Sequence, residues 1–98
     1  MKPFLLIFND QVITRQAVLD FLDTRSEILN WYAFLHNGIF IISEQNVSTI
    51  SNLIRTKFPN IYFVLTEVTK GNNTSINGWL PKAAWDFIND SKSSGRWK

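Results

Sequence analysis

Hydrophobic and polar residues follow two different periods along this chain, and the change between them predicts separate strands and helices. Residues 4–8 are all apolar, which is typical of a short strand that is buried on both faces. The apolar positions that begin at Val18 recur instead at helical spacing, behind Thr14, whose hydroxyl suits a helix N-cap. The pattern therefore predicts a first strand and then a helix from about Arg15 to Asp23.

The middle of the chain carries the pattern of a β-hairpin. Residues 29–36 are rich in aromatic and other strand-forming side chains, and residues 39–42 are entirely apolar. Between them lies Asn37-Gly38, the dipeptide that best suits the positive φ angles of a type I′ turn. The two segments are predicted to pair around this turn.

A second helix and a fourth strand are predicted in the next part of the chain. An N-cap at Asn46 or Ser48 precedes an apolar stripe at helical spacing, and Pro59 disfavours helix in the residue before it. The stripe consists of Ile50, Leu53, Ile54 and Phe58. Residues 61–68 then favour a strand, and the polar residues 69–75 favour a loop.

The predicted order of elements is strand, helix, strand, strand, helix, strand. This is the βαββαβ order of an α+β, ferredoxin-like fold, in which right-handed crossovers give an antiparallel four-stranded sheet of order 4-1-3-2. Strands one and three are then central, and they are the continuously apolar ones. We predict one domain over residues 1–90 and a flexible basic tail over residues 91–98.

Residues 76–90 form an additional C-terminal segment that is rich in apolar residues and follows the predicted sheet and its two helices. Central strands that are apolar on both faces need a cover on the side that the two helices leave open. Gly78 permits a sharp turn and Pro81 suits the first turn of a helix. The segment is therefore predicted to be a helical lid on the open sheet face of its own chain or of a second copy. The packing residues expected are Trp79, Leu80, Trp85 and Ile88.

Composition narrows the classes of function. The chain has 98 residues, no cysteine and a single histidine, His36, which excludes disulfides, thiolate metal sites and a multi-histidine site within one chain. The apolar run at residues 4–8 is too short for a signal peptide or a membrane span. We therefore expect a cytoplasmic protein without a membrane partner.

The net charge of +2 is unevenly placed, because five basic and two acidic residues follow Val68. This excess of positive charge indicates either contact with a nucleic acid or partner, or simply a solvated surface. The candidate binding residues are Arg15, Arg55, Lys57, Lys82 and Arg96.

Five short segments carry a resemblance to a known family. They are FLLIFND, NWYAFLHNGIFIIS, NVSTISNLI, FVLTEV and GWLPKAAWDFI. Through them the chain resembles the small bacterial and phage proteins related to the dimeric, ferredoxin-like subunit of the CRISPR integrase, over residues 4 to 90. It is more distantly similar to endoribonuclease-type antitoxins of the same fold. The resemblance implies a homodimer whose partner is RNA, DNA or a protein.

The nuclease-like relatives carry an aspartate at the end of strand one, where a dimer places two carboxylates around a divalent metal. The resemblance implies that Asp10 is the catalytic and metal-binding candidate, with Mg²⁺ or Mn²⁺ as cofactor. The residue of this chain that aligns with that aspartate is Asn9, however, and asparagine is a neutral metal ligand. A shift of one residue also reverses the direction of a strand side chain. A strand-ending turn is therefore the preferred interpretation of Asn9-Asp10.

These patterns favour a dimeric module that binds a nucleic acid or a protein without catalysis and without a cofactor. Two alternatives remain open. One is a metal-dependent endoribonuclease or other nuclease of the CRISPR-associated or antitoxin type, using Asp10. The other is a protein inhibitor carried by a phage or mobile element.

Overall fold

A computed structural model describes residues 1–68 and 82–89 of the chain and shows a four-stranded antiparallel sheet with three helices. The elements in chain order are β1 (Lys2–Phe8), α1 (Arg15–Asp23), β2 (Ile28–Leu35), β3 (Gly38–Ser43), α2 (Val47–Lys57), β4 (Phe63–Glu67) and α3 (Lys82–Asn89). This α+β arrangement is compatible with a small ferredoxin-like fold.

The strands lie in the order β2-β3-β1-β4. Every neighbouring pair is antiparallel, and β1 joins the two halves through the pairs Leu6↔Ile39 and Leu6↔Leu65. The two central strands are therefore β1 and β3, whose apolar side chains face both sides of the sheet.

One face of the sheet packs against α1 and α2, and this packing forms the larger core. Its most deeply buried side chains are Phe4, Leu6, Val18, Leu22, Ile28, Ile39, Ile41, Ile50 and Ile54. Both helices begin at residues that the sequence indicated. Thr14 Oγ1 accepts a hydrogen bond from the backbone N–H of Ala17 at 3.2 Å, and Asn46 Oδ1 accepts one from Thr49 at 2.9 Å. Asn46, rather than Ser48, is therefore the second N-cap.

The opposite face of the sheet packs against α3, which forms a second core. Phe87 and Ile88 of α3 are fully buried in one cluster with Phe40 and Ile42 of β3, and the half-buried Trp85 packs against it. α3 thus covers the sheet of its own chain. Of the expected lid residues, Trp79 and Leu80 lie outside the described residues, as do the predicted loop at residues 69–75 and the predicted tail at residues 91–98.

The hairpin differs from the prediction by one residue. β2 ends at Leu35 and β3 begins at Gly38, so the two turn residues are His36 and Asn37, and the predicted Asn37-Gly38 turn is wrong. Gly38 is a strand residue, and its φ lies outside the left-handed region. The reason for glycine here is space. A Cβ at this position would lie 3.3 Å from Ile7 Cδ1 and 3.3 Å from the ring of Phe34.

Strand boundaries also differ by one or two residues at several ends. β1 begins at Lys2 because Lys2 pairs with Ser43, two residues before the predicted start. β4 covers Phe63–Glu67 within the predicted residues 61–68. Differences of this size are usual at strand and helix ends.

Replacing Gly38 with valine should lower the free energy of unfolding by about 2 kcal/mol, because the added methyl groups overpack the space between Ile7 and Phe34. Gly38→Ala is the matched control. The alanine variant should lose less stability, since the atoms nearest to its Cβ are the ends of the Ile7 and Phe34 side chains, which can shift. Urea unfolding of the two variants measures the difference, and equal stability of the valine and alanine variants would contradict the close-approach explanation.

Candidate binding surface

An open groove of about 580 Å³ lies between α1 and α2. We call it the helix groove. It is lined by Phe21, Arg25, Thr49, Asn52, Leu53, Thr56 and Lys57. Four of these residues, Thr49, Asn52, Leu53 and Thr56, follow helical spacing along one side of α2, so a single helix supplies most of one wall.

Two cations lie on this groove, and they are held differently. Arg25 donates to Glu27 through Nε···Oε1 at 3.2 Å and Nη2···Oε2 at 3.1 Å, a bidentate pair that orients the guanidinium group. Lys57 is an exposed residue in the last turn of α2. Together with the hydroxyls of Thr49 and Thr56, these groups are donors of the kind that contact phosphate oxygens.

The apolar residues that line the helix groove are Phe21 and Leu53. Phe21 lies edge-on to Phe58, with ring centroids 5.5 Å apart and an interplanar angle of 81°. A second depression of about 350 Å³ continues from Phe21 and Lys57 towards Asp20, whose carboxylate accepts from Gln16 at 2.7 Å. Lys57 therefore lines both depressions, whereas Arg25 lines the helix groove alone.

The basic residues singled out from the sequence lie on different surfaces. Lys57 lines the helix groove, but Arg15 donates to the carbonyl of Leu35 at 3.2 Å, at the hairpin end of the sheet. Lys82 forms an exposed pair with Asp86 at 2.8 Å on α3, and Arg96 lies outside the described residues. The structure brings Lys57 together with Arg25 instead. The helical spacing of the polar residues on α2 could have been found from the sequence. The position of Arg25 beside them could not, because Arg25 follows α1 and reaches the groove only through the packing of the two helices.

Arg55 lies in a smaller groove of about 280 Å³ between α2 and β4, which we call the edge groove. It is lined by Ser51, Arg55, Phe58, Pro59, Ile61, Tyr62, Phe63 and Leu65. Tyr62, which lines this groove, and Val64 of β4 are 87% and 64% exposed. In the part of the chain that the structure describes, the β4 edge of the sheet thus carries exposed apolar side chains.

Asn9 and Asp10 form a turn directly after β1. Asn9 Oδ1 accepts from the backbone N–H of Gln11 at 3.1 Å, and the carbonyl of Asn9 accepts from Val12 at 3.3 Å. Asp10 is exposed, and no group of three or more His, Cys, Asp or Glu side chains within residues 1–68 and 82–89 is placed to share a metal ion. The turn interpretation agrees with this geometry, whereas metal binding by Asp10 stays a prediction.

Comparisons with protein-family models, with curated proteins and with solved structures gave no match. The resemblance to the CRISPR integrase subunit therefore remains a prediction from the quoted segments. In the part of the chain that the structure describes, every helix is too short or too polar to cross a membrane.

Proposed function

We propose that this protein is a dimeric, ferredoxin-like module that binds a macromolecule without transforming it, and that RNA or DNA is the ligand. The observation that carries the proposal is the helix groove, where Arg25 and Lys57 lie beside three uncharged hydrogen-bonding side chains. The module needs no metal and no cofactor for this role.

Nucleic acid fits the helix groove better than an acidic small molecule because the groove is open, and its donors come both from α2 and from Arg25, which follows α1. Phosphate contacts from lysine, arginine, threonine and asparagine position a nucleic-acid backbone without reading its sequence. With few cations, the binding is expected to be modest and to weaken as salt rises.

Lys57→Glu should weaken binding of a labelled RNA or DNA oligonucleotide about tenfold, because it replaces a phosphate contact with a repulsive charge. Fluorescence anisotropy at about 50 mM and about 200 mM salt measures the affinity and its salt dependence. The control is Lys82→Glu, which makes the same charge change on α3, away from the groove. Absence of binding at the lower salt, or equal weakening by both variants, would contradict the proposal.

Incubation of the same oligonucleotides with Mg²⁺ or Mn²⁺ separates binding from cleavage. We expect intact oligonucleotides. Cleavage by the natural protein that is lost in Asp10→Ala would replace the proposal with the metal-dependent nuclease that the resemblance implies. A stable complex with a host protein, in the absence of nucleic-acid binding, would instead support the inhibitor alternative.

A further inference from the structure

We propose that the dimer forms when the outer edge of β4 pairs antiparallel with β4 of a second copy, which joins the two sheets into one of eight strands. This inference rests on the dimer of the proposed function and gives it an interface. It follows from the direction of the β4 backbone groups, from the residues at its edge and from the charge in the edge groove.

Among residues 1–68 and 82–89, no strand lies on the outer side of β4. Tyr62 accepts from Asn9 N–H at 3.2 Å and Val68 donates to Pro3 O at 2.8 Å, so the even-numbered residues of this segment bond to β1. In an antiparallel ladder the alternate residues point their N–H and C=O groups the other way. Phe63, Leu65 and Glu67 therefore point theirs outward, and no strand within residues 1–68 and 82–89 pairs with them.

This edge lacks three of the features that normally prevent strand pairing, although β4 is short and ends in the charged Glu67. Edge strands are usually interrupted by a bulge, a proline or a lysine. At the other edge of the sheet, β2 has two register shifts in its pairing with β3. β4 pairs with β1 without a shift, and its sequence FVLTE contains no proline or lysine.

A second copy fits this edge because β4 is self-complementary in one register. If Leu65 lies on the two-fold axis, Phe63 is directly opposite Glu67 of the partner subunit. Directly opposite residues in an antiparallel pair point to the same face. Phe63 lines the edge groove together with Arg55, so the carboxylate of the partner's Glu67 lies beside Arg55. The symmetry forms this ion pair twice.

The same register also covers Val64, whose side chain points to the opposite face of the sheet from Phe63. Val64 lies opposite the partner subunit's Thr66, and Val64 and Thr66 are both exposed in the single chain. The pairing thus joins the outward backbone groups, two ion pairs and the exposed Val64 in one symmetric contact.

The test is sedimentation equilibrium of the full chain, without nucleic acid. We expect a monomer–dimer equilibrium whose dissociation constant rises about tenfold in Glu67→Arg and about tenfold in Arg55→Glu, because each places like charges together. Combining the two substitutions restores opposite charges at the contact and should return the dissociation constant to near that of the natural protein. Lys57→Glu is the matched control, since Lys57 is in the same last turn of α2 as Arg55 but lines the helix groove. It should leave dimerisation unchanged.

Three outcomes would overturn this interface: a monomer at every concentration, a dimer that neither single variant weakens, or two weakened variants whose combination stays weak. Circular dichroism of each variant shows that the charge changes leave the fold intact. The measurement is independent of ligand binding. A dimer with the expected charge dependence that binds no RNA or DNA would contradict the proposed ligand and support the β4 contact. A monomer that binds RNA or DNA would support the proposed ligand and contradict the β4 contact.

Discussion

Phe4→Ala should lower the free energy of unfolding by about 4 kcal/mol, the largest effect of any single substitution that we consider. Phe4 is fully buried in the larger core, and it lies on the central strand β1, opposite Ile41 of β3. Alanine removes the whole ring and leaves a cavity between the sheet and the helices, which a central strand cannot close by moving. Because small domains have a total stability of roughly 5–15 kcal/mol, much of this protein's stability is lost.

Chemical unfolding followed by tryptophan fluorescence measures this change. Val12→Ala is the comparison, because Val12 is 58% exposed and its truncation should change stability by less than about 0.5 kcal/mol. Phe4→Leu should lie between the two, since leucine fills part of the space. A loss of less than about 2 kcal/mol in Phe4→Ala would show that the core collapses around the smaller side chain.

The local elements of this fold could be predicted from sequence because their causes are local. The bounds of α1 follow from the cap at Thr14 and the apolar spacing behind it, and the structure confirms Arg15–Asp23. The need for a cover on the second sheet face followed from apolar residues on both sides of β1 and β3, and α3 occupies that place.

The predicted hairpin turn is wrong and the helix groove was not predicted, because both depend on contacts between different elements of the fold. Asn37-Gly38 satisfies the rule for a type I′ turn, but Ile7 of β1 and Phe34 of β2 both lie close to Gly38, and this crowding gives the glycine a different role. The helix groove likewise depends on how α1 and α2 sit on the sheet. Arg25 and Lys57 line one surface only after both helices have docked.

The two proposed contacts, with nucleic acid and with a second copy, involve neighbouring residues of α2. Arg55 and Lys57 are two positions apart and therefore point to different sides of the helix. Arg55 lines the edge groove beside β4, and Lys57 lines the helix groove. One short helix can therefore serve a subunit contact on one side and a phosphate contact on the other, which is why matched charge reversals at these two positions separate assembly from ligand binding.

Phe87→Ala should lower the free energy of unfolding by about 3 kcal/mol and release α3 from the sheet. An isolated helix of eight residues is unstable in water, so α3 depends on its packing, in which Phe87 is fully buried and lies 5.7 Å from the ring of Tyr32. Hydrogen exchange should accelerate across Lys82–Asn89 while the amides of β1 stay protected.

Lys82→Ala is the control on the same helix, since an exposed ion pair contributes less than about 1 kcal/mol. If α3 amides stayed protected in Phe87→Ala, the helix would be held by contacts other than this ring. If β1 lost protection to the same extent as α3, the lid and the sheet would unfold as one unit.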